Sequence, residues 1–200
     1  MSEAKRAGTR DADPILDGQT VNLNSESAGR AQAQAPVAVD WDERVGVCDS
    51  YSRTRELVLA MVAARDPRQR LKLFGRWGNL CDAPWNNRSN FADILRRDVA
   101  SVGLAEVLDP EEREWFLSLP EQIEVHRGCE HGRLRGLSWT SERAIAQKFA
   151  RGMRCRNARP TLVSAVILKR HVLFLFLSRN EHEIVVDPRR LRQIKIEASS

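Results

Sequence analysis

After Pro120 the chain changes period, and that change limits what it can fold into. Downstream come EQIEVHRG, LRGLSWT, TLVSAVILK, HVLFLFL, HEIVVD and LRQIKIE, short runs rich in β-branched and aromatic residues. One helical stretch interrupts them, SERAIAQKFARG, expected over 142 to 151 with Ala146, Phe149 and Ala150 on its apolar side. Upstream, from Asp49 to about Leu119, apolar residues recur at helical spacing. Helices first and strands afterwards predict an α+β fold, because alternating βαβ units would interleave the two periods.

Punctuation residues set the expected boundaries. DSYSRTRELVLAMVAARD opens on cap-type residues, puts Leu57, Val58, Met61 and Val62 on one stripe, and ends at Asp66-Pro67. RQRLKLFGRWGNL follows, with breaks expected at Gly75 and Gly78. SNFADILRRDVASVGL is expected to run from Ser89 as N-cap to Gly103 as C-cap. DPEEREWFLSL has Asp109 as N-cap and Pro110 at the first helical position. LKRHVL looks like a hairpin turn between two strands. Residues 1 to 40 hold no aromatic side chain and are rich in Ala, Gln, Ser, Asn and Asp, so a disordered tail is expected there. The expected organisation is therefore a tail over 1–40, a helical part over 41–119 and a β-rich part over 120–200.

Composition excludes several classes. With 42% apolar residues and five tryptophans in 200 residues, the chain can bury a core. No apolar run approaches the roughly 18 residues of a membrane span, and MSEAKRAGTRDADPILDG lacks the apolar region of a secretory leader. A cytoplasmic protein with no membrane partner is expected. Cys48, Cys81, Cys129 and Cys155 form no CxxC pair, which points to free thiols in a reducing compartment and to no metal. The net charge of +5, from 32 basic residues (mostly arginine) against 27 acidic ones, suits phosphates or acidic partners. Part of it lies in RGMRCRNAR, residues 151 to 159, expected as an exposed excursion that helps to select a partner. That stretch lacks the interleaved aromatics of a nucleic-acid-binding loop.

Polar residues intrude on the β-rich part at three places. Arg127 closes the strand IEVHRG just before Gly128; an arginine fork beside a glycine that leaves the backbone open suits a phosphate. In GLSWT, Ser138 and Thr140 leave one strand face and Trp139 the other, while Thr140 or Ser141 caps the following helix. In EHEIVVDP, Glu181 and Glu183 sit two apart on one expected strand face, where two carboxylates repel unless water or a cation lies between them. His126 neighbours the arginine but faces the other way, so it reads as structural.

Taken in order, Arg127 in VHRG, Ser138-Trp139-Thr140 before a helix with Ala146 and Phe149, and Glu181-His182-Glu183 before an apolar strand resemble the R-S-E class of ADP-ribosyltransferases. The resemblance covers about residues 121 to 197, and the connection from 128 to 137 is shorter than the helix-containing insert of many toxin members. It implies a split β-sandwich holding NAD bent between two small sheets. It implies a mono-ADP-ribosyltransferase that moves ADP-ribose from NAD to a macromolecular acceptor, most often a protein arginine where the motif is Glu-x-Glu, and releases nicotinamide. Glu183 would be the catalytic carboxylate, Glu181 would handle the acceptor, and Ser138 would orient Glu183 or the ribose. Arg127, Gly128, Ser138, Trp139 and Thr140 would bind NAD, with Trp139 and Phe149 reading as packing residues too. NAD hydrolysis, or a non-catalytic module of the same fold contacting nucleic acid or protein, stays open at this point.

Overall fold

The computed structural model describes residues 39–81, 84–153 and 157–198. The expectations for the tail (up to residue 38) and for Arg154, Cys155 and Arg156 of the basic stretch fall outside them. Five helices come first: α1 (Trp41–Gly46), α2 (Ser50–Ala63), α3 (Pro67–Trp77), α4 (Arg88–Val102) and α5 (Pro110–Ser118). The remaining elements are β1 (Gln122–Glu130), β2 (Ser138–Thr140), α6 (Arg143–Ala150), β3 (Pro160–Leu168), β4 (Val172–Phe176), β5 (Glu183–Val186) and β6 (Arg192–Ala198). The fold is α+β, with most of the helix N-terminal.

The caps explain most helix starts. Asp49 accepts hydrogen bonds from the amides of Tyr51 and Ser52, and Asp109 from that of Glu112. Asp66 caps α3 with Pro67 in its first turn, so Asp-Pro begins a helix as well as following one. Two expectations fail here. Gly75 does not break α3; a Cβ there would lie 2.8 Å from Cζ of Phe174, so the glycine is a seat for a ring of β4. Ser89 is not the N-cap of α4, which starts one residue earlier behind Asn87. Gly103 does end α4, at φ 87°.

The strands form one antiparallel sheet in the order β4-β5-β2-β1-β3-β6, rather than the two sheets expected. The join within it is very uneven. β1 pairs with β3 along its whole length, from Gln122 opposite Leu168 to Glu130 opposite Pro160. β1 meets β2 only where His126 lies opposite Thr140. The sheet thus divides into two three-stranded halves whose strands pair across the seam at one position only. β3 and β4 end up in different halves, so Lys169–His171 is a crossover turn and not the hairpin expected from LKRHVL.

One core joins helices to sheet. Phe74 of α3 stands edge-on to Phe91 of α4 and to Phe174 of β4, with ring centroids 5.5 Å apart in each case. Arg70 of α3 grips the carboxylate of Asp98 of α4 through two bonds of 2.7 and 2.6 Å. On the other half of the sheet α6 packs against β1 with Ala146 and Ala150 fully buried. No helix among the described residues is long and apolar enough to cross a membrane.

Candidate active site

A cleft of about 420 Å³ opens at the seam, within the range of sites that hold a small molecule. Arg127, Gly128, Ser138, Glu181 and Glu183 all line it. Segments far apart in sequence are therefore brought to one place by the topology that lays β2 between β1 and β5.

Arg127 does more than present a charge. Its Nη1 donates to the carbonyl of Ser138 at 2.6 Å and its Nε to that of Arg133 at 3.3 Å. Where the β1–β2 ladder stops, this guanidinium spans the gap. Gly136 lets it lie flat against the connection, since a Cβ there would sit 2.4 Å from Cζ of Arg127. The fork expected for phosphate is partly committed to backbone carbonyls.

Gly128 has a different purpose from the one its sequence suggested. A Cβ would lie 1.8 Å from the carbonyl oxygen of Ala146 and 2.3 Å from the amide nitrogen of Ala150. The missing side chain admits α6, and the residue still lines the cleft. Trp139 belongs to the core, 2% exposed, with Nε1 donating to the carbonyl of Gly136 at 2.9 Å. The hydroxyl of Thr140 is also committed: it donates to the carbonyl of Glu181 at 2.7 Å and accepts from the amide of Glu142 at 3.0 Å. The helix cap expected at Thr140 or Ser141 is not formed: the N-cap of α6 is Glu142 and carries no side-chain cap bond, while the Thr140 oxygen turns the chain ahead of the helix and fastens the glutamate turn. Ser138 is half-buried at the cleft wall.

The two glutamates reach the cleft by unlike routes. Glu183 begins β5, opposite Thr140 on β2 and Phe176 on β4, so all three point to one face of the sheet. Glu181 is not in the strand. It lies in a turn where Arg179, Asn180 and His182 take φ of 65°, 54° and 43°, left-handed values that side chains other than glycine rarely adopt. His182 between the carboxylates breaks the expected alternation. Its Nδ1 is buried without a hydrogen-bond partner, and its ring stands edge-on to Trp115 of α5 at 5.5 Å.

His126 is buried, 6% exposed, and its Nδ1 lies 2.9 Å from Oγ of Ser164. Burial holds its pKa below the usual histidine value, and Arg143 adds to this against the opposite pull of Glu124. It pairs opposite Thr140 and also lines the cleft, so the sequence expectation of a purely structural residue facing away from the site leaves out this second placement.

The helical part contributes a wall that the sequence reading did not assign: Tyr51, Asn79, Trp85 and Asn86 also line the cleft. Asn79 Nδ2 donates to Oγ of Ser178 at 2.6 Å, tying the Gly78–Leu80 turn to the glutamate turn. The available signal was a tryptophan in the polar, unpatterned stretch DAPWNNRS, where no helix stripe requires one. No protein-family model matches the chain, and neither a curated protein nor a solved structure gives a significant match.

Proposed function

We propose that the chain is an ADP-ribosyltransferase of the R-S-E class, using NAD as donor and a protein side chain, with arginine the leading candidate, as acceptor. The observation that carries this reading is the convergence of Arg127, Ser138, Glu181 and Glu183 on one cleft at the weakest join of the sheet. A solvated hairpin with two surface acids would not bring them to the same cavity as Arg127.

The residues fit the chemistry. The bond from ribose C1′ to the nicotinamide nitrogen breaks, its electron pair leaves with neutral nicotinamide, and positive charge develops on the ribose. Glu183, fixed at the start of β5, stabilises that charge, as carboxylates do in other glycosyl transfers. Ser138 at the wall orients the ribose or Glu183. An acceptor nitrogen then bonds to C1′ and gives its proton to Glu181. Arg127 supplies positive charge for the pyrophosphate while holding the seam. A cationic intermediate between them also explains why two carboxylates share a cleft.

The test is incubation of the protein with NAD labelled in its adenosine half, together with a mixture of arginine-rich proteins. Label on a protein band with release of nicotinamide supports transfer. Free ADP-ribose alone shifts the reading to NAD hydrolysis. Intact NAD would overturn the enzymatic reading.

A further inference from the structure

The five tryptophans divide unevenly. Trp139 lies within the hydrophobic core, Trp41, Trp77 and Trp115 pack against it, and Trp85 sits at the wall of the cleft. A large half-buried ring at a cleft wall offers a flat surface to a ligand.

The ring is also held in place. The guanidinium of Arg88 lies 4.0 Å from the centroid of the indole, and its Nη1 donates to the carbonyl of Trp85 at 2.8 Å. A side chain already fixed by such a stack loses little freedom when a second flat group joins it.

We infer that Trp85, presented by the helical part, is the stacking platform for the adenine ring of the dinucleotide. The inference rests on the NAD-dependent reading above and assigns a wall of that site to residues outside the three motifs. Charge decides which end stacks. The nicotinamide ring of NAD is cationic and would meet the charge of Arg88 across the indole, whereas adenine is neutral. The helical part is then a portion of the binding site and not an appendage.

Stacking of one base on one aromatic ring typically changes affinity by roughly 5- to 100-fold. The experiment measures binding of NAD, ADP-ribose and nicotinamide to the full chain and to Trp85→Ala and Trp85→Phe. Trp85→Ala should weaken NAD and ADP-ribose about tenfold or more, with KM for NAD rising more than kcat falls, while nicotinamide binding is unaffected. Trp85→Phe should recover most of the affinity. ADP-ribose should quench indole emission in the original protein and much less in Trp85→Phe, a measurement that stands even if the alanine variant does not fold. If nicotinamide affinity falls and ADP-ribose affinity does not, the adenine assignment is wrong. Unchanged affinities with an active original protein overturn this inference alone. A protein that binds neither NAD nor ADP-ribose overturns both this inference and the proposed function.

Discussion

On one bank of the cleft, β1 is laddered to β3 over its full length and Arg127 is anchored to two carbonyls. On the other, Glu181 sits in a turn with left-handed residues at 179, 180 and 182, held from outside by Asn79, Thr140 and Trp115. The first bank takes its geometry from regular structure, which is stable without help. The second stores strain, and it persists only because its surroundings fix it. The difference separates tasks: the regular bank suits holding a ligand, and the strained one aims a reactive group.

The largest expected effect falls at Glu183, where β5 leaves the strained turn. Glu183→Gln keeps the shape and removes a charge that acts on the transition state, so transfer and NAD hydrolysis should both drop by on the order of 100- to 1,000-fold while NAD still binds. Glu181→Gln should depress transfer by about 100-fold and leave slow hydrolysis in place, because it serves the acceptor alone. Assaying both activities in both variants sharpens the contrast. Near-normal hydrolysis in Glu183→Gln would break it and leave a plain hairpin.

On the regular bank the sensitive position is Gly128, and the expected effect is on stability. An added methyl group meets the backbone of α6 at Ala146 and Ala150, which cannot swing aside as a side chain could. Gly128→Ala should lower stability by about 1 to 3 kcal/mol, read from urea midpoints. Unchanged stability would mean that α6 is free to shift and that this bank is less rigid than its ladder implies.

These two banks were unequally legible in the sequence. Alternation and turn residues located every strand among the described residues, and cap chemistry at Asp49 and Asp109 located helix starts, because those signals act between neighbours. Gly75 was misread as a break, and the close approach of α6 at Gly128 went unseen, because Phe174 and α6 are partners distant in sequence. The pairing of LKRHVL failed for the same cause: local turn chemistry does not record which strand will lie alongside. Glu181 and Glu183 were found as candidates, yet the period-two reason was wrong for Glu181, since His182 reverses the backbone between them. Trp85 went unassigned because nothing local links a loop in the helical part to a cleft in the sheet.

A smaller effect tests the stored strain itself. Left-handed φ costs a residue with a side chain about 1 to 2 kcal/mol, and glycine escapes this while losing some chain entropy on folding. Arg179→Gly should therefore raise stability by less than about 1 kcal/mol, whereas Arg179→Val, β-branched at φ 65°, should lower it. Thermal unfolding of the two variants gives the sign directly. If valine is tolerated as well as glycine, the turn is not strained and the contrast between the banks weakens.

The smallest effect is one of pH, and it concerns the hold of α5 on the same turn. Glu112 of α5 is half-buried and receives the amide of Leu177, the residue just before the turn. Burial first, and the nearby Asp109 second, push its carboxyl up to about 7, against the opposite pull of that amide. In the unfolded chain the group titrates near its ordinary value of 4.5. Between these two values the folded protein holds the proton that the unfolded chain has released, so this group makes stability fall as pH rises from about 4.5 to about 7, with no further change above. Glu112→Gln mimics the protonated side chain and should flatten that part of the profile. Urea midpoints at pH 5 and pH 8 for both proteins measure it; the original should lose more than the variant on going to pH 8. Equal losses would show that α5 does not hold the turn through this carboxyl, leaving Asn79, Trp115 and Thr140 as the contacts that keep Glu181 in place.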